Sequence, residues 1–125
     1  MKLQFDDNAA VYRISGYQKG SIVVNEEVLN RSFVLMPKTL IRDWPPQDFD
    51  ALERDHFQSV AGLEPEIVLF GSGARQRFPA TEITRPLIEA GIAVEVMDTG
   101  AACRTYNILS SEDRRVAAAL LMIED

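Results

Sequence analysis

Two short apolar runs, Glu66-Ile67-Val68-Leu69-Phe70 and Ile92–Met97, bracket a segment of helical period and constrain the fold more than any other part of the chain. The first is continuous rather than alternating, the pattern of a strand buried on both faces, and the second is rich in β-branched residues. Between them Ile83, Leu87 and Ile88 share one side of a helix expected over about Pro79–Ala90, which Gly91 stops. Pro86 lacks the amide for an intrahelical bond, so that helix is expected to kink or to start late. Strand, helix and strand over residues 66–97 match the ~30 residues of a β-α-β unit, which implies two parallel strands.

Upstream the pattern is β. Val11-Tyr12-Arg13-Ile14 alternates, Gly16 through Gly20 supplies turn chemistry, and Ile22-Val23-Val24 resumes. Val28-Leu29, Ser32–Met36 and Thr39-Leu40-Ile41 follow at close spacing, so hairpins or a meander are expected until Trp44-Pro45-Pro46 closes the region. Phe49, Leu52, Phe57 and Val60 then share a face of one helix, capped by Asp48 or Asp50 and ended by Gly62. After the β-α-β unit, Asp98 or Thr99 can cap a third helix through Leu109. The tail, Arg114–Ile123, reads as helix by its alanines and as strand by its length. No repeat, linker or low-complexity stretch interrupts residues 1–125, so one domain is expected.

The totals exclude several function classes. One cysteine and one histidine leave no internal disulfide and no Cys/His set for zinc. A net charge of −6 opposes general nucleic-acid binding, which relies on phosphate neutralisation. No apolar run reaches the ~20 residues of a membrane span. Met1–Asp7 has no apolar signal core and is too acidic for a transit peptide, so a cytoplasmic protein is expected. Ten of the thirteen basic residues are arginine, which suits bidentate pairing with carboxylate or phosphate.

Chemistry-bearing residues concentrate where the two parallel strands end. Gly71-Ser72-Gly73 and Asp98-Thr99 should leave the same edge of the sheet and wall one crevice. Glycines there permit close backbone approach to an anion, and Arg75 and Arg77 could add charge-assisted hydrogen bonds. The run Gly-Ser-Gly-Ala-Arg-Gln lacks the third glycine of a dinucleotide loop, and no Gly-Lys-Ser/Thr follows for a phosphate loop. A tight strand-to-helix turn is the simpler reading. Asp98-Thr99-Gly100 matches the short motif around an aspartic-protease carboxylate, but the helix expected after it favours capping instead. Cys103, in the first turns of that helix, could have its thiol pKa depressed by the dipole, or be a small buried hydrophobe. Arg104 lies beside it. Tyr106 and Asn107 are expected to satisfy buried polar contacts between helix and sheet. His56 is expected on the surface of the first helix. The candidate crevice is therefore Gly71, Ser72, Gly73, Arg75, Asp98, Thr99, Cys103, Arg104, Tyr106 and Asn107, with no metal and no cofactor implied.

The segment Pro65–Leu121 closely resembles the domain-of-unknown-function family that contains mitochondrial complex I assembly factor three and its bacterial relatives. Leu69–Gly73 with Phe78-Pro79, Gly91–Thr99, and Ala102–Leu109 with Arg115–Leu121 carry the likeness; the N-terminal part matches more loosely through its strands and the Trp44-Pro45 corner. The resemblance implies a three-layer α/β domain with a central mixed sheet. It makes Arg115–Met122 a strand, antiparallel to the β-α-β pair. It places a polar cleft at Gly71, Ser72, Gly73, Asp98, Thr99, Arg104, Tyr106 and Asn107, with no catalytic residue attached. It also implies an assembly role exercised through protein partners, with a link to membrane-protein biogenesis for bacterial members. A non-catalytic interaction protein is thus the leading expectation. The rivals are a binder or enzyme for a small anionic ligand in the crevice, and a thiol activity at Cys103. Phe5, Tyr12, Phe33 and Trp44 serve either the core or the face of a homo-oligomer.

Overall fold

The computed structural model describes residues 10–124, and their strands divide into two sheets. Strands β1 (Ile14–Gln18), β2 (Ser21–Val24) and β3 (Glu27–Leu29) form an antiparallel meander. The turn expected over Gly16–Gly20 is confined to Lys19-Gly20, and Gly16 lies within β1 at a shift of register. Strands β4 (Phe33–Met36) and β5 (Thr39–Ile41) begin the second sheet. The chain then turns at Trp44, whose side chain is buried and whose Nε1 donates to the carbonyl of His56.

The first helix is broken in two. Asp48 caps a single 3-10 turn, Phe49–Ala51, by accepting from the amide of Ala51. Leu52 then goes extended, to bury its side chain, and α1 (Arg54–Ala61) starts afresh from Glu53. His56 is not a simple surface residue: its Nδ1 accepts the Glu53 amide at 2.9 Å, and its ring meets Trp44 edge-on. The unit β6 (Ile67–Gly71), α2 (Thr81–Glu89) and β7 (Ala93–Met97) follows as expected, with β6 and β7 parallel. Pro86 sits inside α2, which starts two residues later than the periodicity suggested. Helix α3 (Thr99–Ser111) leads to β8 (Val116–Leu120).

The second sheet has the order β5-β4-β8-β6-β7. One expectation is corrected here. β8 is antiparallel to β4 but parallel to β6, so it does not run against the β-α-β pair. The reason is α3: a helix between strands of one sheet carries the chain back to the end it started from, as α2 does. β8 is the central strand, and all five of its residues are buried, which explains a run of small apolar side chains.

Three layers result. One face of the large sheet presents Val34, Val68, Phe70, Ala117 and Ala119 to α1 and α2, with Trp44, Phe57 and Leu87 between them. The other presents Phe33, Leu35, Leu69, Val116 and Ala118 to α3 and the small sheet, which contributes Ile14, Ile22, Val24 and Leu29. Phe33 and Trp44 are core, Tyr12 packs against the core half-buried, and Phe5 and the Met1–Asp7 reading lie outside the described residues. Among the described residues no helix is long and apolar enough to cross a membrane.

Candidate functional site at the carboxyl edge of the large sheet

Because β6, β7 and β8 are parallel, their carboxyl ends share one edge. Thr99 fills the middle of that edge. Its hydroxyl accepts from the amide of Gly73 at 2.9 Å and donates to the carbonyl of Leu121 at 2.8 Å, while its own amide donates to Gly73 O. It is fully buried. Gly71 is required beside it: a Cβ there would stand 2.7 Å from a Leu120 methyl and 2.9 Å from the Thr99 hydroxyl. The Gly71–Gly73 and Asp98-Thr99 segments therefore do meet, but as a sealed joint rather than as facing walls of a crevice.

The open space lies to one side. A cavity of about 430 Å³ is lined by Ser72, Gly73, Arg75 and Arg77, by Gln47, Asp48 and Phe49, and by Leu121, Met122 and Glu124. Ser72 shapes its floor, its buried hydroxyl accepting the Arg77 amide at 3.0 Å and donating to Arg75 O at 2.7 Å. Gly73 adopts φ +106°, a backbone conformation that disfavours other residues. Arg77 lies 4.0 Å over the Phe49 ring and 3.6 Å from the Asp50 carboxylate, so its charge is engaged. Arg75 is exposed.

The residues on α3 go elsewhere. Asp98 caps the helix, accepting the Ala101 amide at 2.9 Å, so this aspartate does the work of a cap. Asn107 grips β1 with both halves of its amide, accepting from Ile14 N at 3.0 Å and donating to Ile14 O at 2.7 Å. Tyr106 is buried and donates to Tyr12 O at 2.8 Å; burial pushes its phenol well above the ordinary range. Cys103 is buried too. Loss of hydration pushes its thiol up to about 12, Arg104 lowering it and Asp98 adding to the rise. Of the two readings of this cysteine, the small buried hydrophobe therefore stands, because desolvation outweighs any lowering by the helix dipole. Arg104 donates to the Tyr17 hydroxyl and, with Cys103 and Asn107, borders a separate cleft of about 100 Å³ beneath β1.

The structure therefore brings Ser72, Gly73 and Arg75 into one cavity, builds Gly71 and Thr99 into the joint, and sends Cys103, Arg104 and Asn107 to another cleft. Sequence reasoning missed the Gln47–Phe49 wall and Leu121–Glu124. The second omission follows from the direction of β8: run antiparallel to β6, its carboxyl end would have left from the opposite edge. The Asp48 cap was visible, but nothing in the sequence brings it to the β6 loop.

These features define a three-layer α/β domain whose two crossover helices lie on opposite faces of the parallel strands, with a cavity at their carboxyl edge. Residues 14–121 match the family described as protein of unknown function (DUF498/DUF598), and the chain belongs to it. It is 29% identical over 97% of its length to the 13 kDa major membrane protein of Francisella tularensis, covering 99% of that protein. It is 34% identical over 95% of its length to the bovine NADH dehydrogenase [ubiquinone] 1 alpha subcomplex assembly factor 3, and spans 65% of that protein's length. A crystal structure of a Bordetella parapertussis protein superposes with a TM-score of 0.85 at 40% identity, covering 91% of this chain and 98% of that one.

Proposed function

We propose that this is a non-catalytic interaction protein that assists assembly of a membrane-bound respiratory complex. The observation that carries the reading is the 34% identity, over nearly the whole chain, with a protein named as an assembly factor of NADH dehydrogenase. The site chemistry supports it. Thr99, Tyr106 and Asn107 spend their polar atoms inside the fold, and the Cys103 thiol is buried with its ionisation suppressed. The setting inferred is the cytoplasm, with action at complexes in the membrane. The test is removal of the protein from its own cells, followed by native electrophoresis of the respiratory complexes. Assembled NADH dehydrogenase should fall and recover with the wild-type chain and with Cys103→Ser. An unchanged complement of complexes would reject the reading.

One observation favours a second reading, a small anionic ligand held beside Ser72, Gly73 and Arg75. The cavity there opens at the carboxyl ends of parallel strands, the usual place for ligands in α/β proteins, and Arg75 at its rim is exposed. Inorganic phosphate and nucleotides can be screened by thermal shift. Ligand at a hundredfold excess over its Kd adds ~2.7 kcal/mol of stability, and Arg75→Ala should abolish the shift. Arg104→Ala is the matched control, because Arg104 faces the other cleft. A flat screen would remove this reading.

A further inference from the structure

The large sheet ends at β7, whose outer side is paired with no strand among the described residues. Ala93 donates its amide to Glu66 and Met97 accepts from the amide of Ser72, both on the β6 side. Alternation along the strand then turns the amide and carbonyl groups of Val94 and Val96 outward. Gln76 marks that direction, since its Nε2 donates to Val96 O at 2.9 Å from outside the sheet. A groove of about 430 Å³ runs along this edge, lined by Phe78, Thr84, Ile88, Val94 and Val96. Phe78 is 69% exposed and Ile88 56%, the large apolar side chains of the groove that the core leaves in water. Glu95 also borders the groove, though alternation along the strand turns its side chain to the other face; it is exposed, and among the described residues no cation pairs with it.

We propose that the β7 edge receives an extended segment of a partner protein in which apolar, basic and apolar residues follow one another. The basic residue would stand opposite Glu95, and the two apolar side chains would seat in the groove against Phe78, Ile88, Val94 and Val96. This rests on the reading of the chain as an interaction protein and gives that reading a surface and a partner chemistry. Main-chain groups supply the affinity in such strand addition, and the side-chain alternation supplies the selectivity. Gln76 acts as a stand-in for the incoming strand, occupying Val96 O with one side-chain donor until a backbone amide replaces it.

Charge decides against a second copy as the occupant. An antiparallel pair of β7 strands that used both outward valines would set Val94 opposite Val96 of the other copy and Glu95 opposite Glu95. Cβ atoms at such a position are ~4.5–5.5 Å apart, and like charges there repel. An exposed charge on an edge strand is a common guard against self-pairing, and here it also specifies the complementary charge of a guest.

The experiment uses the whole protein and two synthetic peptides, Thr-Val-Thr-Val-Lys-Val-Thr-Val and the same sequence with Glu in place of Lys. Binding is read by fluorescence anisotropy at low salt, and amide exchange is followed at Val94 and Val96. The wild-type protein should prefer the lysine peptide roughly fivefold, as expected for one cross-strand charge pair. Glu95→Lys should reverse the preference, Gln76→Ala should bind at least as tightly as wild type, and exchange at both valine amides should slow on binding. No binding at millimolar peptide, equal affinity for the two peptides, or a preference that Glu95→Lys leaves unchanged would overturn the proposal. So would a wild-type dimer dispersed by Phe78→Ser, which would give the edge to a second copy. Failure of the parent reading looks different: loss of the protein would then leave respiratory complexes intact while the peptide preference persisted. If assembly depends on the protein but Glu95→Lys supports it fully, the edge falls and the parent reading stands.

Discussion

The two faces of the large sheet are held by different physics. Toward α1 and α2 the contact is aromatic: Trp44, Phe57 and Phe70 meet edge-to-face with ring centroids 5.4–6.4 Å apart, over the small side chains of Ala117 and Ala119. Toward α3 and the small sheet, aliphatic packing is joined by fasteners with direction: Asn107 on Ile14, Tyr106 on Tyr12, and Thr99 on Gly73 and Leu121. Burial is non-directional and roughly proportional to area, so the first face, apart from the Trp44 Nε1 bond to His56 O, gains more stability than register from its packing. Hydrogen bonds add less net stability but penalise every misplaced alternative, so the second face fixes where the N-terminal layer sits.

That contrast orders the expected losses. Phe57→Ala removes a fully buried ring from the aromatic face and should cost about 3–5 kcal/mol in urea unfolding. Asn107→Ala strands the amide and carbonyl of Ile14 and should cost about 2 kcal/mol. Asn107→Asp keeps the acceptor but sets a carboxylate oxygen against Ile14 O, so it should cost at least as much. If Asn107→Ala costs as much as Phe57→Ala, the division of labour between the faces is wrong.

Two smaller effects follow from titration. The Cys103 thiol is raised from an ordinary 9.0 to about 12, so the folded state holds its proton longer than the unfolded chain does. Stability from this group is intact below pH 9.0 and declines as pH rises toward 12. Cys103→Ala should flatten that alkaline decline, and iodoacetamide at pH 8 should label the thiol only after denaturation. On the surface, Arg42 holds the Glu27 carboxyl below its usual range through hydrogen bonds of 2.7 and 2.8 Å. Its contribution is present above the ordinary carboxylate pKa and disappears as pH falls through the lowered value. Glu27→Gln should move the acid unfolding midpoint least of all these changes, because the pair is solvent-exposed.

The sequence made the β-α-β unit legible because Gly71, Gly91 and Asp98 punctuate it at the residues where direction changes. It concealed the second wall of the cavity, since Gln47–Phe49 reach the β6 loop only through tertiary packing. Residues within a few positions of a strand end, such as Ser72, Gly73 and Arg75, were placed correctly at the edge. Asn107 and Tyr106, read both as internal contacts and as members of the crevice, make internal contacts, yet their targets, Ile14 and Tyr12, could not be read from local pattern. Gly16 misled because glycine in a strand and glycine in a turn look alike until the partner strand is known.

Asn107 and Ile14 are 93 positions apart, and Gly20 bonds to Ile123, beyond the last strand. The small sheet leaves the ribosome well ahead of the groups that complete it. Residues 14–29 must therefore leave the exit tunnel with their apolar side uncovered and stay so until α3 and the segment after β8 have followed. Docking of α3 closes a loop of 93 positions, the kind of non-local step that slows folding. For this domain, synthesis from the amino end offers no head start, and the interval before α3 docks is when a chaperone would have most to hold.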